Sequence, residues 1–213
     1  IQFDEARKPN IKYKYCDNLP DPKDWCILGN KNNEVKTLFF GDSHLMSWAH
    51  GLNDMYKTKN DSAVLAMLSA CPPIFRLKSI RSEFRKDDSC SKKNFEVEKY
   101  LSENPSIKNV VLVGVWHEYF NGLTPINIAL DKDKEFKNTE GAVEGTKFTI
   151  EKIKSMKKNV NLGRGFMDHL SIPICELKPR DRIKFLKWFN TRLTNNGVKY
   201  SIRMSSSNQL IPV

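Results

Sequence analysis

The chain has 213 residues, of which 39% are hydrophobic. This is enough apolar surface for one domain with a sizeable core, and it excludes wholesale disorder. The net charge of +10 comes from 35 Lys and Arg against 25 Asp and Glu. The basic residues are scattered and no aromatic-interleaved motif accompanies them, so we expect no nucleic-acid partner. No apolar run in the sequence reaches the roughly 20 residues that span a bilayer, and no secretion-signal pattern is present.

Residues 1–34 are polar and contain three prolines, which predicts an extended lead-in segment before the domain. Beyond it, short apolar runs alternate with helical periodicity. In chain order we predict a strand at 35–40, a helix from 43 to about 56, a strand at 63–68, a helix at 94–103, a strand at 109–116, a helix at 146–158, a strand at 160–162, a helix at 180–193 and a strand at 198–204. This alternation predicts an α/β fold with a central parallel sheet and helices on both faces.

The five cysteines are Cys16, Cys26, Cys71, Cys90 and Cys175, and their spacing fits no zinc site. We predict two local disulfides, Cys16–Cys26 and Cys71–Cys90, because these residues lie in polar loops and not in apolar runs. The alternative is five free thiols in a reducing compartment. Disulfides would indicate an oxidising compartment and leave Cys175 without a partner.

The motif Gly41-Asp42-Ser43 lies where the first predicted strand ends and its helix begins. In an open parallel sheet, functional groups gather at the carboxyl ends of the strands. Gly41 permits a tight turn, and Asp42 and Ser43 both suit an N-cap. A serine here would have its own N–H at a helix N-terminus, where an oxyanion is stabilised after Ser Oγ attacks an ester carbonyl. The motif predicts Ser43 as a nucleophile, with an ordinary strand-to-helix cap as the alternative.

Three blocks of the chain resemble the SGNH hydrolases, and more narrowly the SGNH domains fused behind acyltransferase-3 membrane proteins. The blocks are FFGDSHL at 39–45, SACPP at 69–73, and VVLVGVW at 110–116 with Tyr119 shortly after. The cysteine-bearing lead-in looks similar as well, and the resemblance spans roughly residues 16–204.

The resemblance implies a flavodoxin-like three-layer SGNH fold for residues 35–213. Residues 1–34 would then be a linker to a preceding membrane domain. The site residues that it implies are the nucleophile Ser43, its neighbours Asp42 and His44, and, on the oxyanion or substrate side, Ala70 and Trp116. Trp116 stands where other SGNH enzymes have Asn.

A serine nucleophile needs a base, normally a His oriented by an Asp. Similar domains carry an Asp-x-x-His after the last strand, usually followed by Leu-Ser. The chain has His169 followed by Leu-Ser, but Phe166 stands where the Asp is expected, and a helix and a strand still follow. Either the dyad lies beyond Val213, which would truncate this domain and give Cys175 a partner, or His169 is the base with Asp168 beside it. A third alternative is a degenerate, non-catalytic domain.

The resemblance further implies a periplasmic part of an inner-membrane protein that O-acetylates a cell-envelope glycan, such as lipopolysaccharide O-antigen or peptidoglycan. A membrane acyltransferase domain in the same polypeptide would deliver the acyl donor, and the glycan would be the acceptor. The alternatives are a carbohydrate esterase and a non-catalytic glycan-binding module, in which Trp48, Trp116 and Tyr119 would stack on sugars. The sequence shows no phosphate-cradling loop and no metal-ligand pattern, so we predict no cofactor and no metal.

Overall fold

A computed structural model describes residues 16–17, 19, 21–80, 88–131, 134–164, 202–204 and 210–212. The chain divides into two compact units, residues 1–166 and 167–213. In the second unit, the strands β9 (Ile202–Met204) and β10 (Leu210–Pro212) form an antiparallel pair. All other described elements belong to the first unit. No helix among the described residues is long and apolar enough to cross a membrane.

A five-stranded, mostly parallel sheet forms the centre of the first unit. Its strands are β1 (Cys26–Gly29), β2 (Thr37–Gly41), β3 (Ser62–Met67), β5 (Asn109–Gly114) and β8 (Asn159–Arg164). They lie in the order β1-β3-β2-β5-β8, and only β1 runs antiparallel to its neighbour. Every residue of β2 and β3 is buried, as expected for parallel strands covered on both faces.

Helices cover both faces of this sheet. They are α1 (Ser43–Thr58), α2 (Ser89–Glu103), the short α3 (Trp116–Phe120) and α4 (Asn138–Ser155). Phe39 of β2 packs in the cluster that contains the buried side of α1. Phe40 points to the opposite face and stacks on Phe75, with ring centroids 5.9 Å apart. Thr149 of α4 accepts the N–H of Phe75 at 2.7 Å, so α4 lies on the face opposite α1. The predicted α/β fold with layers on both sides of the sheet is confirmed.

A second, three-stranded antiparallel sheet packs against α4. Its strands, in the order β4-β6-β7, are β4 (Leu77–Ile80), β6 (Ile126–Asp131) and β7 (Lys134–Lys137). We did not predict these strands, because they are short and their apolar residues alternate with polar ones for only a few positions. In β6, Ile126 and Ile128 are fully buried while Asn127 between them is partly exposed.

The predicted elements differ from the observed ones mainly at their starts. Helix α2 begins five residues before the predicted 94, and α4 begins eight residues before the predicted 146. The buried positions in these first turns hold Cys90, Lys93, Gly141 and Ala142, so no hydrophobic periodicity marks them. The strand predicted at 109–116 ends at Gly114, because the next N–H, that of Val115, is donated to the side chain of Asp42 and not to a neighbouring strand.

We predicted that the domain begins at residue 35, but part of the segment before it belongs to the main sheet. Strand β1 lies within the predicted lead-in segment and is part of the main sheet. Residues 1–15 lie outside the described residues, as do the helix predicted at 180–193 and the first part of the strand predicted at 198–204. Both disulfides, Cys16–Cys26 and Cys71–Cys90, are present as predicted.

Gly41 permits the close approach of β2 and β5. A Cβ built at this position would lie 2.2 Å from the backbone oxygen of Val113. We expect Gly41→Ala to lower the free energy of unfolding by about 2–3 kcal/mol, because a backbone oxygen cannot rotate out of the way. Urea unfolding measures the change.

Gly51→Ala is the matched control. Gly51 is exposed on α1, and a Cβ there would meet no atom within 4 Å. This variant should be more stable by roughly 1 kcal/mol, since alanine favours the helix. Equal effects of the two substitutions would contradict the packing of β2 on β5.

Candidate active site

Ser43 is the first residue of α1 and lies directly beyond the carboxyl end of β2. Its side chain is exposed, whereas Gly41 and Asp42 before it are buried. Asp42 is the N-cap, with extended backbone angles, and its carboxylate accepts the N–H of His44 at 2.8 Å. A 16-residue helix therefore directs its N-terminal dipole toward the position of Ser43.

The Asp42 carboxylate is fully buried and is the centre of the local hydrogen-bond network. Its Oδ1 accepts the His44 N–H and lies 3.1 Å from Nδ1 of the His44 ring. Its Oδ2 accepts the Val115 N–H at 2.9 Å and the Tyr119 hydroxyl at 2.5 Å. Since a buried charge is tolerated only when it is well bonded, these contacts bind the start of α1 to the residues that follow β5. Asp42 thereby holds the turn that presents Ser43.

His44 and Tyr119 respond to this carboxylate in their protonation. Hydrogen bonding to Asp42 raises the pKa of His44 above its ordinary value, an effect that partial burial opposes. Burial, reinforced by the Asp42 charge, raises the pKa of Tyr119 well above its usual range. Tyr119 therefore remains a neutral hydrogen-bond donor, while His44 keeps its proton to a higher pH than an ordinary histidine.

Ala70 lies in the turn after β3, the strand next to β2. It has a φ of 56°, in the left-handed region that alanine rarely adopts, and it is half-buried. The backbone of this turn is tied to β2, because the Leu68 N–H donates to the Gly41 oxygen at 3.0 Å. Ala70 thus follows the strand next to β2, and its role in an oxyanion or substrate contact stays a prediction.

Trp116 is the first residue of α3, whereas we predicted that it would be the last residue of the strand. Its indole N–H donates to the backbone oxygen of Gly163 at 3.1 Å. The ring stacks on Phe120, with centroids 5.7 Å apart, and meets Tyr119 edge-on at 6.1 Å. The indole N–H of Trp116 is therefore bonded to β8, and the indole is half-buried.

Three predicted site residues follow three neighbouring strands. Ser43 follows β2, Ala70 follows β3 and Trp116 follows β5, and these strands are parallel and adjacent. They are brought to one edge of the sheet. The predicted base His169 and its neighbour Asp168 lie outside the described residues.

Sequence reasoning missed the roles of Tyr119 and Asp17. Tyr119 was named as part of a motif and as a sugar-stacking residue of the alternative module, yet its hydroxyl donates to the buried Asp42 carboxylate. Asp17 accepts both the N–H and the hydroxyl of Ser69, the residue before Ala70. No local pattern could reveal the second contact, since 52 positions separate the two residues.

Among the described residues, no group of three His, Cys, Asp or Glu side chains could hold a metal ion.

Removing the Tyr119 hydroxyl tests the Asp42 network. In Tyr119→Phe the buried carboxylate loses one donor while the ring, 1% exposed, keeps its packing. We expect a loss of about 1.5–3 kcal/mol in the free energy of unfolding, as for other hydrogen bonds to charged groups. Tyr100→Phe, at a half-buried position on α2, should change it by less than about 0.5 kcal/mol. Equal losses in the two variants would contradict the special role of the Asp42 contact.

The raised pKa of His44 makes part of the stability depend on pH. The protonated ring should stabilise the fold fully below the unfolded-state pKa of about 6.5, and this contribution should be lost as the pH rises through the folded-state pKa. The difference in unfolding free energy between wild type and His44→Gln should therefore be larger at about pH 5.5 than at about pH 8.5. His50→Gln is the control, because His50 and its partner Asp54 are both 59% exposed and their pairing is weak. A difference for His44→Gln that is constant with pH would contradict the Asp42–His44 contact.

Comparison with known proteins identifies the family. Residues 13–203 match the family model described as an SGNH domain fused to AT3 domains. No curated protein matches the chain. The matched range includes the main sheet, the Ser43 turn and both disulfides, and it gives the chain a role associated with SGNH hydrolase or acyltransferase chemistry. The chain belongs to the family of SGNH domains that are fused to AT3 domains.

Proposed function

We propose that this domain is the serine-dependent part of an O-acyltransferase, which passes an acetyl group through Ser43 to a hydroxyl of a cell-envelope glycan. The carrying observation is the placement of Ser43. It is exposed at the first position of α1, directly after the buried Asp42. The Asp42 carboxylate is held by the N–H and ring Nδ1 of His44, the N–H of Val115 and the hydroxyl of Tyr119.

The chemistry would proceed in two half-reactions. Ser43 Oγ attacks the carbonyl carbon of the acetyl donor, its proton passes to a base, and the leaving group departs with a proton. A glycan hydroxyl then attacks the acetyl-Ser43 ester, which forms the glycan ester and restores the Ser43 hydroxyl. In both steps the developing oxyanion would be stabilised by the backbone N–H groups at the start of α1 and near Ala70.

The base in this scheme is one of the two alternatives that the sequence raised. Either an Asp-x-x-His dyad beyond Val213 completes the site, or His169 acts with Asp168. His44 is committed to Asp42 through its Nδ1, and we propose that it shapes the site.

Family membership supports a membrane acyltransferase domain in the same polypeptide as the source of the acyl group. The two disulfides, together with that fusion, support an extracytoplasmic position, which we propose to be the periplasm. A carbohydrate esterase would share the first half-reaction and use water as the acceptor. A sugar-stacking module is disfavoured, because Tyr119, one of its three expected aromatic residues, is 1% exposed.

The function is tested by replacing the nucleophile in the full-length protein. We expect Ser43→Ala to remove acetyl esters from the modified envelope glycan, because loss of a serine nucleophile costs several orders of magnitude in rate. Ester content is measured after mild alkaline release. Ser47→Ala, at an exposed position one turn along α1, should keep the wild-type ester content. Unchanged ester content in Ser43→Ala would refute the proposal.

A further inference from the structure

Residues of the lead-in segment contact the candidate active site. We call the described residues among 16–25 the strap. Cys16 is 1% exposed and joins the strap to β1 through its disulfide with Cys26. Asp17 forms an isolated parallel bridge with Met67, the last residue of β3. The strap therefore runs beside the carboxyl end of β3, where the turn toward Ala70 begins.

Asp17 holds that turn with both carboxylate oxygens. Its Oδ1 accepts the backbone N–H of Ser69 at 2.7 Å, and its Oδ2 accepts the Ser69 hydroxyl at 2.5 Å. Hydrogen bonds to a charged acceptor are shorter and stronger than neutral ones. Two such bonds to one residue fix both its position and its orientation.

The fixed residue directly precedes the strained one. Ala70 keeps a φ of 56°, and a non-glycine residue holds such a backbone only when its surroundings enforce it. On the other side of Ala70, the disulfide of Cys71 with Cys90 ties the turn to α2. Asp17 and this disulfide thus constrain the Ala70 backbone from both directions.

The strap is itself anchored to α2 by a buried lysine. Nζ of Lys93 donates to the Leu19 oxygen at 2.8 Å and lies 4.0 Å from the ring centroid of Trp25. The indole N–H of Trp25 donates to the same Leu19 oxygen at 3.0 Å. Burial lowers the pKa of Lys93 to about 7. These contacts fix the strap to α2 and so restrict the position of Asp17 beside Ser69.

We propose that Asp17 is a positioning residue for the acyl-transfer site: it acts through Ser69 to hold the Ala70 backbone where the oxyanion of the Ser43 reaction forms. This rests on the proposed function of Ser43. It also means that the segment ahead of the main sheet supplies part of the active site.

The test is the rate at which Ser43 of the full-length protein reacts with a fluorophosphonate, whose phosphonyl oxygen needs the same oxyanion contacts. Asp17→Asn keeps the shape of the side chain but replaces one acceptor oxygen with a donor. We expect the maximal rate of phosphonylation to fall about tenfold to a hundredfold, as for other small displacements of oxyanion donors, with no change in the concentration at half-maximal rate. Hydrogen–deuterium exchange in the peptide at 68–71 should also become faster.

Asp21→Asn is the matched control, because Asp21 lies in the same strap and its carboxylate accepts the exposed N–H of Lys23 instead of bonding Ser69. It should react at the wild-type rate. Ser69→Ala is a second variant, which removes one of the two donors to Asp17 and should give a smaller fall than Asp17→Asn.

Two failures are distinguishable. If wild-type Ser43 takes no label, the proposed function fails, and the positioning role fails with it. If wild type is labelled and Asp17→Asn reacts as fast as Asp21→Asn, only the positioning role is overturned. The positioning role would also be overturned if Asp17→Asn raised only the concentration at half-maximal rate and left the maximal rate unchanged. That pattern indicates weaker binding of the fluorophosphonate and not a misplaced oxyanion contact.

Discussion

The buried carboxylate of Asp42 is the interaction on which the candidate site depends. Moving a charge out of water costs several kcal/mol, and only well-placed donors offset this. Here the donors come from α1 and from the residues after β5, so the cost is met only when the two elements are correctly placed relative to each other. Because Asp42 is held by its burial and bonding, Ser43, the next residue, has little freedom beyond its own rotamer.

Gly114 packs tightly against the same network. Gly114 ends β5, and a Cβ there would lie 3.3 Å from Oδ2 of Asp42 and 3.2 Å from the ring of Tyr119. A side chain at Gly114 would therefore require the neighbouring side chains to shift by a few tenths of an ångström. A second pair of hydrogen bonds, from Ser69 to Asp17, holds the turn after β3. Asp42 thus holds the turn before Ser43, and Asp17 holds the turn before Ala70.

Much of this could be predicted from local sequence. The parallel strands and the Gly41-Asp42-Ser43 turn have strong patterns, because continuous apolar runs and a capping residue each act over a few positions. The disulfides Cys16–Cys26 and Cys71–Cys90 were predicted for a similar reason, since each joins residues at most 19 positions apart.

The remainder depends on distant contacts. Two residues that donate to the Asp42 carboxylate, Val115 and Tyr119, lie 73 and 77 positions away in the sequence. No periodicity connects them to Asp42. The early turns of α2 and α4 were missed because small or polar residues fill their buried positions. The small antiparallel sheet was missed because its strands are too short to show a clear period.

The central claim is that Ser43 carries the acyl group, and the most direct measurement is the covalent intermediate itself. Full-length protein supplied with an isotopically labelled acetyl donor, quenched in acid and digested, should yield a peptide with one labelled acetyl group on Ser43, and hydroxylamine should release it. Labelled acetyl groups that reach the glycan while Ser43 remains unmodified at every quench time would contradict the account.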